Sequence, residues 1–105
     1  MLNKEIKFNE WNCTLNYSTY SNKRTAIELI DAEDGMPIAV ATVNIPDASI
    51  ESDEVIIKNW SENEGIREAL QVAGIIGPTL RKIPTGFVLA TVHKLLKDVD
   101  DNSSI

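Results

Sequence analysis

The sequence predicts an α+β domain: an antiparallel or mixed sheet of about five strands with one helix packed on one face. Three observations predict it. Only residues 61–73 carry a helical apolar period with start and stop signals. Elsewhere apolar residues alternate, or run together, in blocks of strand length. The connections are short and hold Asn, Asp, Gly and Pro. A length of 105 residues suits one domain. It is read as residues 1–97, followed by an acidic tail, 98–105, that frays.

Residues 6–19 alternate in two phases. Ile6 and Phe8 are apolar at even positions, then Trp11, Cys13, Leu15 and Tyr17 at odd ones. An uninterrupted strand sends these sets to opposite faces, so a bulge or short turn is predicted near Asn9. The polar run 20–24 reads as a hairpin loop. Residues 25–32 form the next strand, with Ile27 and Leu29 on one face. Asp34-Gly35 is the clearest turn, and residues 37–45 follow as a strand. Residues 54–59 lead into the helix. Ser61 and Glu64 have capping-box spacing, and Ile66, Ala69, Leu70 and Ala73 recur at i, i+3, i+4 and i+7. The resulting helix has roughly twelve residues, too few for stability without a sheet beneath it. Gly74 is the stop, with Ile75 folding back on Leu70 in a Schellman cap. Gly65, inside the first turns, reads as a tolerated weak position, or as a point where another backbone comes close. Residues 79–84 read as a loop carrying Arg81 and Lys82, and residues 87–96 as the last strand.

The runs 38–43 and 87–92 are apolar on both faces, as in strands covered on both sides. One helix of about 18 Å covers only one face. The other cover is expected from the N-terminal strand or from a second copy of the chain, so self-association is one expected contact.

Composition limits the function. The net charge of −6 argues against a nucleic-acid partner. No apolar run is long enough to span a membrane, and no basic-then-apolar leader is present, so a soluble cytoplasmic protein is expected. Cys13 is the only cysteine, which excludes an intrachain disulfide and a cysteine zinc cluster. On its apolar register it reads as a small buried hydrophobe. His93 is the only histidine and reads as structural. Asp98, Asp100 and Asn102 resemble the start of a calcium loop, but Ser103 stands where the loop needs glycine. Gly74-Ile-Ile-Gly77 is similar to a nucleic-acid clamp loop but has no basic residues, and reads as a cap and turn. No nucleotide-binding glycine motif is present. The expectation is therefore no catalytic residue, no metal and no cofactor. The candidate binding surface gathers Trp60, Arg67, Arg81 and Lys82. Arg24 and Lys58 join Arg81 and Lys82 as candidate anion contacts. Trp60 is also read as a hydrophobic staple at the helix entry.

The runs 26–35, 41–46 and 53–65 (including Lys58-Asn-Trp-Ser61) resemble a family of small uncharacterised proteins from phages and mobile elements of gut bacteria. The resemblance covers most of residues 25–96. It implies no catalytic chemistry. It implies a small accessory protein that binds a host macromolecule, such as an anti-defence factor of the anti-CRISPR or anti-restriction type. The alternatives are an oligomeric pocket protein that sequesters a small nucleotide signal of host defence, and a structural or house-keeping interaction module.

Overall fold

The chain crosses between two antiparallel sheets. The structure, a computed structural model, describes residues 5–96; the predicted acidic tail lies outside them. Strands β1 (Ile6–Phe8), β2 (Trp11–Thr19), β3 (Thr25–Asp31) and β4 (Pro37–Val40) form a four-stranded meander. Strand β5 (Glu54–Ile57) leads into a 3-10 turn (Ser61–Asn63) and helix α1 (Ile66–Val72). Strands β6 (Ile76–Thr85) and β7 (Val88–Leu95) complete a second sheet in the order β5-β7-β6. The α+β class and the single helix stand. The single sheet of about five strands is replaced by two, of four and three strands.

The division arises in the run read as one strand, 37–45. Its pairing with β3 ends at Val40, and the next three residues bond to both sheets. The Ala41 N–H donates to Ile27 O on β3, while Ala41 O accepts from the Lys58 N–H after β5. The Val43 N–H donates to Ile56 O. Thr42 bridges to Ile57, and its buried hydroxyl oxygen accepts the Ile27 N–H at 3.1 Å. A strand that changes sheets makes a corner of this kind.

Local signals held where the chemistry was local. Phe8 pairs with Trp11 across a two-residue turn, with Asn9 at φ 54°, so Ile6, Phe8, Cys13 and Leu15 all reach one core. Trp11 and Tyr17 lie outside that core and are partly exposed. Strands β2 and β3 join through the predicted loop at 20–24, and Gly35 turns with φ 76° between β3 and β4.

Strand β6 corrects the loop read at 79–84. Pro78 and Pro84 argue against a central strand, but β6 pairs only with β7 and lies at the sheet edge, where proline is tolerated. Register breaks between Ile76 and Thr79, and between Thr79 and Arg81, take up the distortion.

The helix is shorter than its apolar period. Gly65 has φ 92° and stops the helix from starting at Ser61. A Cβ built there meets nothing within 4 Å. Gly65 therefore serves a left-handed turn, and neither earlier reading of it applies. Ser61 makes no side-chain cap; the Glu64 N–H bonds instead to the Ser61 backbone oxygen. The cap comes from Asn59, whose Oδ1 accepts the Arg67 N–H at 2.8 Å. The C-terminus is as expected: the Gly74 N–H donates to Gln71 O and the Ile75 N–H to Leu70 O, the two bonds of a Schellman motif. Asn63, 1% exposed, ties the corner together. Its Nδ2 donates to Val40 O at 2.6 Å and to Lys58 O at 3.1 Å.

Two cores result. The main one joins both sheets and the helix through Ile27, Leu29, Ile57, Ile66, Leu70 and Ile76. The smaller one, Ile56, Ala90 and Val92, occupies the other face of the second sheet. Val43, Ile45, Ala48, Ile50 and Trp60 cover it. For Ala90 and Val92 the second cover is thus a loop of the same chain, whereas Val40, Phe87 and Leu89 of the two apolar runs stay exposed. The N-terminal strand β1 instead lies at the edge of the first sheet.

Replacing Asn59 by Ala is expected to destabilise by about 1 kcal/mol, as loss of a helix cap does. Ser61→Ala stays within about 0.5 kcal/mol of the parent. Gly65→Ala costs about 1–2 kcal/mol, because alanine resists the left-handed conformation. Urea titrations check all three; a Ser61 effect equal to that of Asn59 would return the cap to Ser61.

Candidate functional site

Three of the six candidate binding residues, Arg24, Arg81 and Trp60, hold the fold. Arg24, from the β2–β3 loop, donates through Nη1 to Ile45 O at 2.7 Å and through Nη2 to Ala48 O. Arg81, from β6, donates through Nη2 to Ser49 O at 3.0 Å and to Glu54 Oε1 at 2.7 Å. Two guanidinium groups from different sheets thus fasten the loop that covers the smaller core. Glu54 is 7% exposed and also accepts the Glu51 N–H. The Arg81 hydrogen bond holds its carboxyl below the usual carboxylate range.

Lys58 pairs with Glu62 at 3.1 Å, and Arg67 with Glu68 at 2.8 Å. Solvent-facing pairs of this kind contribute little. Trp60 is half-buried against the smaller core. Lys82 is exposed and forms no ion pair with a described residue. Shallow grooves among the described residues include the following two. One, of about 440 Å³, runs between β1 and α1. The other, of about 330 Å³, lies beside Tyr17, Thr25 and Leu95. None of the six candidate residues lines either groove.

The single cysteine and the single histidine of the sequence are enclosed. Cys13 is fully buried, and burial raises its thiol pKa further. His93 is fully buried with both ring nitrogens engaged. Nδ1 lies 2.9 Å from Gly77 O, and a carbonyl can only accept, so Nδ1 carries the proton. Nε2 then accepts from the Thr91 hydroxyl at 2.8 Å. Burial lowers the imidazole pKa. The Gly77 carbonyl also takes Gln71 Nε2 at 3.2 Å, which binds the helix to β6 at the same point. Among the described residues, no group of three or more His, Cys, Asp and Glu side chains lies where it could hold a metal ion. No described helix is long and apolar enough to cross a membrane.

The feature missed from the sequence is the end of the β6–β7 hairpin. Strand β5 pairs with β7 only from Thr91 to Lys94. Beyond that β7 pairs with β6 alone: Ile83 and Ala90 still pack in the smaller core, and residues 84–89 form a two-stranded arm. Thr85 pairs with Val88, and Gly86, at φ 64°, holds the first central position of the turn. Positive φ at that position alone is the type II′ pattern, which asks for glycine first and no bulky residue second. Phe87 occupies the second position and is fully exposed, at 107% of its reference area. Leu89, opposite Pro84, is 52% exposed. Lys82 projects from the same hairpin, and no acidic residue occurs from 69 to 97. Among the described residues the outer edge of β6 lacks a partner strand, and its prolines and register breaks blunt it against strand addition. The available sequence signal was Thr85-Gly-Phe-Val88, a two-residue Gly-x turn between β-branched residues.

Comparison with family models, curated proteins and solved structures finds no match.

Two outcomes are expected. The lowered His93 pKa means the unfolded chain binds this proton more readily. Its stabilising contribution is therefore complete above about pH 6.5 and is lost as pH falls below that value. The lowered carboxylates, Glu54 among them, add their losses only below about pH 4.3. Melting temperature should then fall between pH 6.5 and 5 in the parent and stay flat in His93→Gln; a flat parent profile rejects the buried neutral imidazole. Separately, Arg24→Ala or Arg81→Ala should speed amide exchange in residues 45–51 while β2 and β3 stay protected. Unchanged exchange in both variants rules out the clamp.

Proposed function

We propose that the protein is a non-catalytic binding module that docks on a host macromolecule through the β6–β7 arm. Phe87 is the anchor, Leu89 widens the apolar contact, and Lys82 supplies charge at its rim. The observation that carries this reading is the full exposure of Phe87 at a turn that has no structural use for it. Aromatic side chains are enriched among the few residues that dominate protein interfaces. The blunted β6 edge disfavours recognition by strand addition and leaves contact through side chains. The resemblance to phage and mobile-element proteins supplies the setting: the partner is a component of host defence, and the protein an anti-defence factor. Sequestration of a nucleotide gains less support, because Arg24, Lys58 and Arg81 already serve carbonyls and carboxylates of their own chain.

The test is capture of a partner from a bacterial host extract, with Phe87→Ser beside the parent. Phe87→Ser should melt with the parent and lose at least about 2 kcal/mol of binding, roughly thirtyfold in affinity. Trp60→Ala should instead lower the melting temperature. Capture that survives Phe87→Ser undiminished removes the arm from the interface.

A further inference from the structure

The arm carries no charge along its length. Residues 83–92 hold neither an acid nor a base. Paired residues share a face and successive ones alternate, so Pro84 and Leu89 lie on one flank and Thr85 and Val88 on the other. Pro84, Gly86, Phe87 and Leu89 are exposed. The first charge is Lys82, opposite Thr91. It lies three rungs behind the tip pair, roughly 10 Å at about 3.3 Å per residue. Arg81 beside it is held by Glu54, so the charge the arm offers is that of Lys82.

This distribution decides what kind of surface the arm can meet. A flat partner touches the turn alone, where Phe87 contributes about 150–250 Å². Specific interfaces bury at least about 1,200 Å² over both partners. The remainder has to come from the flanks. Both flanks are uncharged, so both can leave water without stranding an ion. Contact on one flank leaves the apolar surface of the other in water.

We infer that the arm is a plug: it enters an apolar cleft of the host partner, which encloses both flanks and bears carboxylates at its mouth. The inference rests on the arm being the docking element, as proposed above, and adds the shape and charge of the site that receives it. Phe87 reaches the floor of the cleft. Pro84 and Leu89 meet one wall, Thr85 and Val88 the other, and the Lys82 ammonium pairs at the mouth. Ligand clefts have this form: concave, mostly apolar, with a few placed polar groups.

Thiol accessibility in the captured complex tests this. Cys13 is fully buried, so a cysteine placed on the arm is the reactive one. Thr85→Cys and Leu89→Cys put thiols on opposite flanks; both positions lie outside the two cores, so the fold is retained. Glu33→Cys puts one in the exposed β3–β4 turn. Each variant is alkylated with iodoacetamide, free and loaded with the partner captured from a bacterial host extract. The Thr85→Cys and Leu89→Cys thiols should both react at least about tenfold more slowly in the complex, and the Glu33→Cys thiol at its free rate. Lys82→Glu should weaken capture at least about tenfold, because like charges then meet at the mouth, while Lys82→Arg is captured as the parent is. Protection of one flank alone, or of neither, overturns the inference. Equal slowing in Glu33→Cys, or undiminished capture of Lys82→Glu, overturns it as well. Unprotected flanks in a capture that still depends on Phe87 reject the cleft and keep the proposed function. Capture that is indifferent to Phe87, or absent, rejects the two together.

Discussion

The backbone at residues 41–43 bonds in two directions, and the rest of the architecture follows from that. Ala41 gives its N–H to one sheet and its carbonyl to the other, and Val43 continues toward the second. With both sheets tied to this corner, the segment that follows has one place to go: across the outer face of the second sheet. There Ile45, Ala48 and Ile50 shield Ile56, Ala90 and Val92. A loop lacks the ladder bonds that hold a strand in place. Arg24 and Arg81 take over that task by donating to its carbonyls. The corner, the loop and the two arginines act as one device.

The buried polar groups serve the same corner. Thr42 joins β3 through the Ile27 amide, and Asn63 joins the end of β4 to the end of β5. Asn63 Oδ1 has no hydrogen-bond partner in its buried position. Leaving one acceptor unmet carries a penalty. It is tolerated here beside two donated bonds, both to carbonyls that would otherwise end their strands unpaired. His93 does comparable work at the opposite end, where it and Gln71 share the Gly77 carbonyl and fix the helix to the strand. The two side chains most suggestive of chemistry in the sequence, His93 and Cys13, are thereby withdrawn from solvent.

What was legible in the sequence was short-range. The phase change that placed a turn at Asn9, the Asp34-Gly35 turn and the Schellman cap at Gly74 each depend on neighbours within a few residues. The helix start was also local but was misread. Ser61 and Glu64 have capping-box spacing, yet the left-handed Gly65 lies between them and the helix, and Asn59 caps from outside the pattern. Strand β6 was hidden because proline argues against strands in general, while its tolerance at an edge depends on strand order, a long-range property. The arginines were read as anion contacts because nothing in a sequence marks a backbone carbonyl as a partner. Phe87 was assigned to a strand, one residue too early. A single position there separates a half-buried strand residue, Val88, from a fully exposed one at the turn, Phe87.

That single position separates two tasks that proteins often load onto the same residues. The hairpin turns because of Gly86, and the cores close without the residue beside it. The identity of the tip can therefore change while the architecture beneath it stays as it is. A lineage of such molecules could exchange one aromatic for another, or for a charge, and acquire a different target on an unaltered scaffold.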